Sequence, residues 1–267
     1  MLKMSLNRRL SRNVASYFSH GTNTVSDRYP DIVGGYSDDG RIIVDVGGGA
    51  QCAFAKQCAS SHVIAVDISA VELEKNRDVN DRRIADVTKR IPVTDDSADV
   101  IASRFVVEHL RGVDHFVEEA YRALKPGGVF ITLFPNKYAL FSLINRCLPA
   151  SLARKLAYLL KGGAQEFGIF PAYYEYCSPT SFRRLCQSKR FAPVEVDVMY
   201  FQSSYYYFFF PFALLSLCYE WLISRLRITS LCAHVLICAY KPTIEVTEGA
   251  GTDNTLAKDN ADCIAHQ

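Results

Sequence analysis

Three acids and a glycine bend carry the first chemical signal in this chain. Asp45-Val46-Gly47-Gly48-Gly49 closes a β-branched run, Asp67 closes a second apolar run, and Asp86 follows a third. Glycines at a strand-to-helix turn let the backbone approach a ligand closely, and a helix beginning there offers free N–H groups, which suits a polar or anionic ligand. Asp67 lies 18 residues past Gly49, at the end of the next strand, where a carboxylate accepts both hydroxyls of a ribose. A dinucleotide fingerprint needs G-x-G-x-x-G. Counted from Gly47, the sixth position is Cys52, so the third glycine is missing that would let a pyrophosphate approach. A nucleoside cofactor without a pyrophosphate does not need it. The plainer alternative is a tight β-α turn that uses glycine for geometry alone.

Elements able to hold these residues follow from the apolar pattern. Arg41–Val46, His62–Val66, Arg83–Ala85, Ala98–Ser103 and Val129–Phe134 read as short buried strands. Helices are predicted between them over Ala50–Ala59, over 70–80 with Ser69 as N-cap and Glu72 completing a capping box, and over Val113–Leu124. That last helix stops at Lys125-Pro126-Gly127-Gly128, because proline cannot continue a helix and glycine tolerates the reversal. Such alternation predicts an α/β, doubly wound, Rossmann-like sheet with ligands at the carboxyl ends of its strands. Farther on, 138–160 reads as helical and 161–177 as a Gly- and Tyr-rich connection. Ser178-Pro179 opens a helix over 179–188, and Pro193–Tyr200 and Ala233–Tyr240 supply two more strands, seven in all.

With the elements in order, the chain resembles the class I S-adenosylmethionine-dependent methyltransferases, in particular their small-molecule and lipid methyltransferases, over roughly residues 41–135. The D-x-G-x-G-x-G motif of that family is met by Asp45, Gly47 and Gly49, with Gly48 between them and Gln51 in place of the last glycine. The resemblance implies S-adenosyl-L-methionine as cofactor. It gives Asp67, followed by Ile68 in VIAVDIS, the ribose hydroxyls, and Asp86, with Val87 beside it, the adenine amino group. ASRFVVEHL resembles the fourth-strand motif, in which Ser103 and nearby backbone face the methionine part, and LKPGGVFITLF resembles the turn into the fifth strand. The family's sheet order, 3-2-1-4-5-7-6 with the last strand antiparallel, is implied as well.

A sulfonium already activates its methyl group, so the protein chiefly has to align a nucleophile for in-line attack. His109, just after the fourth strand, is the candidate general base, since imidazole titrates near neutrality. A histidine there also suits capping or packing the next helix. Glu108 is a candidate cofactor contact. His62 and His234, both at strand starts, read as structural. Phe170–Tyr176 is expected on the acceptor side, where Tyr173 and Tyr174 either orient an acceptor hydroxyl or pack as aromatics.

Composition sets the outer limits. The 267 residues suffice for one large domain, and 49% hydrophobic with 22% charged residues is ordinary for a globular protein. A net charge of +2 gives no reason to expect nucleic acid. The nine cysteines are scattered without zinc spacing, so no metal is expected, and they read as reduced thiols in the cytoplasm. The predicted layout is a basic helix or arm over 1–29, with a transit peptide as the alternative for its first twenty or so residues. The methyltransferase domain follows over 30–242, then a disordered tail over 243–267. Val198–Tyr219 is uncharged and contains YYYFFFPFALLSL. This apolar insert of about 200–230 lies between two strands of one sheet, so it reads as a peripheral membrane surface, a lid over the acceptor or a homodimer interface rather than a span. The expected activity is methyl transfer to oxygen on a small-molecule or lipid-linked acceptor. The rival is a non-catalytic, cofactor-binding, membrane-associated scaffold or regulatory subunit.

Overall fold

The computed structural model describes residues 2–18, 25–147, 171–202 and 206–243. Seven strands form one sheet: β1 Ile42–Val46, β2 His62–Asp67, β3 Asp81–Ile84, β4 Ala98–Arg104, β5 Leu124–Pro135, β6 Val194–Met199 and β7 His234–Tyr240. Their order is β3-β2-β1-β4-β5-β7-β6, with β1 to β5 parallel and β7 antiparallel to both neighbours. The expected fold and strand order therefore hold.

Alternation along the strands divides two cores between the faces. Val44, Val46, Ile64, Ile101 and Phe130 point to one side, beneath helices α4 (Val113–Ala123) and α6 (Pro179–Ser188). Ile43, Val63, Val100, Ile131 and Leu236 point to the other, against Tyr29 and Val33 of helix α2 (Val25–Gly34) and against Phe54. In α4 the buried residues Val113, Phe116, Val117, Ala120 and Ala123 recur at helical spacing, so a single apolar stripe seats it on the sheet. Ser178 caps α6 by accepting from Ser181 N–H, and Pro179 occupies its first turn, as the sequence predicts.

Two predicted helices differ. Ala50–Ala59 is a run of turns, in which Phe54 C=O accepts from Cys58 N–H. Cys52 N–H instead bonds the Asp78 carboxylate at 3.3 Å, while Cys52, Phe54 and Cys58 are all buried, so side-chain anchoring sets the path of this segment. Helix α3 (Ala70–Lys75) has the expected Ser69 cap, but it ends five residues short of the predicted 70–80. Asn76 ends it: this buried side chain turns away to bond the glycine bend.

Beyond β5, helix α5 (Leu140–Cys147) begins the predicted helical stretch 138–160, whose remainder lies outside the described residues, as do 148–170 of the region before α6. Helix α1 (Leu2–Phe18) covers most of the predicted basic arm and packs on helix α7 (Phe210–Arg225), which lies within the apolar insert. Ser11 Oγ donates to Tyr207 C=O, and Ser11 and Ala15 are buried between them. The expected tail lies outside the described residues, apart from residue 243.

Candidate cofactor site

At the carboxyl ends of β1, β2 and β4 the chain encloses a cleft of about 490 Å³. Parallel strands end there together, so the chain must turn at each, and the turns leave a crevice. Among the predicted site residues, Gly47, Asp67, Ile68, Asp86, Val87 and His109 line it.

The bend is more tightly tied than the sequence suggests. Gly47 and Gly48 donate to Val66 C=O at 2.8 and 3.4 Å, and Gly49 N–H donates to Asp67 Oδ2 at 3.1 Å. Asn76 Nδ2 reaches back to Gly48 and Gly49 C=O at 3.0 and 3.2 Å. No α-helix follows, so the free helix-terminal N–H groups expected at the bend are absent; its amides are used in joining β1 to β2. Gly47 has φ +73°, and a Cβ there would stand 2.2 Å from Val106 Cγ2. Only glycine fits that position, and its bare backbone forms one wall of the cleft.

Asp67 is held on both oxygens, Oδ2 by Gly49 N–H and Oδ1 by Ser69 N–H at 2.8 Å. Each oxygen retains a further lone pair, and the residue lines the cleft. Asp86 accepts from Thr88 Oγ1 at 2.6 Å and Thr88 N at 3.1 Å, and Lys89 lies 3.4 Å away. The Thr88 hydroxyl bond is the main cause that holds this carboxyl below its usual range, so it presents an anionic acceptor. Ile68, Val87 and Leu110 add the apolar walls that a flat heterocycle stacks against.

The remaining predicted residues lie elsewhere. Asp45 is buried behind the bend; desolvation pushes its carboxyl up to about 7, opposed by the Cys52 thiol hydrogen bond and by Arg104. Gly48 and Gly49 support the bend without lining the cleft. Ser103 is fully buried, and its hydroxyl pairs with Thr132 at 2.7 Å, joining β4 to β5 instead of facing a ligand. Glu108 is likewise buried: its carbonyl accepts from Tyr173 and Tyr174 N–H, and its Oε2 has no partner. Burial raises the Glu108 carboxyl to about 8. His109 sits at the rim with Nδ1 3.0 Å from Pro171 C=O and Nε2 3.8 Å from Glu108 Oε1, so packing onto the segment before α6 accounts for part of its placement. Tyr173 reaches the cleft beneath the Arg111 guanidinium, 4.2 Å from its ring, whereas Tyr174 is buried in the core.

Sequence reasoning missed Arg104, Phe105, Arg111 and Thr88, all of which line the cleft, and Asn76, which pins the bend. Arg104 and Phe105 sit one and two residues past Ser103, so a strand end placed slightly later would have found them. Among the described residues no cluster of His, Cys, Asp or Glu could hold a metal ion.

Residues 44–132 match a family model described as a methyltransferase domain. A 47-residue stretch is 45% identical to a probable S-adenosylmethionine-dependent methyltransferase of Mycolicibacterium smegmatis, covering 18% of each chain. The fold superposes on a SAM-dependent methyltransferase from Archaeoglobus fulgidus with TM-score 0.52 and 15% identity, over 81% of this chain and 93% of that one. It also superposes on phosphoethanolamine N-methyltransferase 2 of Haemonchus contortus, in complex with S-adenosyl-L-methionine, with TM-score 0.50 and 18% identity, over 85% of this chain and 56% of that one. The matched region is thus a small share of the curated relative and little more than half of the Haemonchus chain. Strand order and sequence match agree: residues 44–132 are similar to methyltransferase domains, and the sheet that carries them has the order that the resemblance to class I S-adenosylmethionine-dependent methyltransferases implies.

Proposed function

We propose that the chain transfers a methyl group from S-adenosyl-L-methionine to oxygen on a small or lipid-linked acceptor. The observation that carries the cofactor half is the pairing of Asp67 and Asp86 across one cleft against the Gly47 backbone, with no third glycine to admit a pyrophosphate. Asp67 would accept from the ribose hydroxyls and Asp86 from the adenine amino group, while Ile68, Val87 and Leu110 enclose the base. Arg104, at the β4 end of the same cleft, would pair with the methionine carboxylate. When bound, the sulfonium supplies an already activated methyl group. The protein then has to orient the acceptor and exclude water, with His109 at the rim as the candidate group to take a proton.

The acceptor half rests on an apolar surface formed by α1 and α7. Phe209, Leu214, Leu215, Trp221, Leu222 and Leu226 are exposed on and beside α7, Leu6 and Leu10 on α1. Exposed arginines 9, 12, 225 and 227 flank them, and the one acid of α7, Glu220, is buried. An apolar face flanked by these cations fits an anionic bilayer surface, from which a lipid-linked acceptor would be drawn. No helix among the described residues is long and apolar enough to cross a membrane.

Calorimetric titration with S-adenosyl-L-methionine and with NAD, followed by assay of labelled methyl transfer into lipid and small-molecule extracts, tests the proposal. Saturable binding of the sulfonium, none of NAD, and label in an extracted acceptor are expected. Binding of NAD overturns the cofactor assignment, and binding without transfer favours a non-catalytic scaffold.

A further inference from the structure

A second set of polar groups lies at the same edge of the sheet, outside the cofactor cleft. His234 opens β7 opposite Pro135 of β5 and Met199 of β6, so it stands at the carboxyl end of β5. Phe105, which lines the cleft, meets the His234 ring edge-on at 5.5 Å, and Phe141 of α5 stacks on it at 5.6 Å. Phe141 N–H donates to Gln202 Oε1 at 3.1 Å, which brings Gln202 to the start of α5 beside Ser142. All three polar side chains are almost fully enclosed: His234 is 4% exposed, Gln202 1% and Ser142 0%. Yet both ring nitrogens of His234, Nε2 of Gln202 and Oγ of Ser142 have no hydrogen-bond partner. An isolated orphan of this kind costs stability. Three of them linked through one phenylalanine, one ring away from the cofactor cleft, mark a place where a ligand completes the bonding.

We infer that His234, Gln202 and Ser142 form the polar end of the acceptor pocket and take a neutral hydroxyl-type head group on an otherwise apolar molecule. His234 offers one donor and one acceptor, the Gln202 amide offers N–H donors, and Ser142 offers a rotatable hydroxyl, so together they match a group that both gives and receives a hydrogen bond. None of the three carries charge, because burial lowers His234 to about 4. A carboxylate, phosphate or ammonium brought in among Phe105, Phe141 and these neutral groups would lose its hydration without a counter-ion. The inference rests on the methyltransferase reading only for the identity of the ligand as acceptor; the pocket is testable without turnover.

The probes are benzyl alcohol, benzoate and benzylamine, titrated against the full chain with and without S-adenosylhomocysteine. Benzyl alcohol is expected to bind saturably and at least tenfold more tightly than either charged probe, and His234→Phe is expected to weaken it at least tenfold. In the free protein, His234→Phe and Ser142→Ala each remove an unsatisfied polar group, so each is expected to raise the thermal midpoint by about 2 °C. Equal binding of the charged probes, no binding of benzyl alcohol, or a lowered midpoint in Ser142→Ala overturns the inference; a lowered midpoint would mean that the hydroxyl is satisfied within the protein, for example by ordered water. Failure of S-adenosylhomocysteine to bind, with the probe results intact, overturns the cofactor assignment instead.

Discussion

Glu108 shows how one residue couples the site to pH. Its carboxyl is raised from 4.5 to about 8 because burial disfavours the anion and Oε2 lacks a partner. The folded state therefore binds more protons than the unfolded chain between those values, and this group's contribution to stability falls as pH rises from 4.5 through 8. Asp45, raised to about 7, acts with the same sign. Glu108→Gln is expected to match the wild type at pH near 5 and to exceed it at pH near 8 by on the order of 3 kcal/mol. Thermal midpoints of both proteins across that range check this; a parallel dependence in the two would show that the Glu108 carboxyl titrates in the fold as it does in the unfolded chain, which would overturn the shift. Asp86 behaves differently, because the Thr88 hydroxyl bond holds its carboxyl below its usual range, and Asp67 accepts from Gly49 and Ser69 N–H beside it in the cleft lining. Their residue types and spacing were legible in sequence, whereas the orphaned Oε2 of Glu108 was not, because a missing partner exists only in three dimensions.

At the scale of elements, the strand-to-strand bend is the unit that shapes the cleft. Gly47 combines a left-handed backbone with a near contact to Val106, and Asn76 crosses from the end of α3 to hold the following carbonyls. Gly47→Ala is expected to cost about 2 kcal/mol or more, since neither the positive φ nor the contact tolerates a methyl group. Its affinity for S-adenosyl-L-methionine is expected to fall at least tenfold. Urea unfolding and calorimetry read the two effects, and wild-type affinity in the variant would show that the bend does not form part of the binding surface. The strands around this bend followed from β-branched runs, and the caps of α3 and α6 from serine placement. The segment 50–59 did not, because its burial pattern arises from Tyr29 and Ile43 across the core and the Cys52 amide is drawn to Asp78.

The whole molecule adds a directional surface. Helices α1 and α7, far apart in sequence, pack together and turn Leu6, Leu10, Leu215, Trp221 and Leu222 outward on the same assembly. Leu215 is 68% exposed and Leu222 50%, spaced so that both fall on one side of α7. If this surface docks on anionic bilayers, the wild type floats with phosphatidylglycerol vesicles, and Leu215→Glu combined with Leu222→Glu weakens binding by about tenfold or more, from lost apolar burial and added repulsion. Protein that remains in the aqueous fraction with such vesicles would assign the face to a lid or to a second copy of the chain, which sedimentation distinguishes.

The amino-acid order by itself determined the succession of the seven strands, the glycine bend and the two cleft-lining acids, because these depend on local periodicity and on residue types a few positions apart. It also marked the uncharged stretch that became α7. Tertiary structure alone decided which side chains face a ligand and which are consumed internally: Ser103 spends its hydroxyl on Thr132, and Asp45 withdraws beneath the bend. It likewise joined His234 to Gln202 and Ser142, and α1 to α7. Those pairings depend on the sheet bringing distant segments to one edge, and hydrogen-bond satisfaction is a property of that neighbourhood, which no local pattern in the chain encodes.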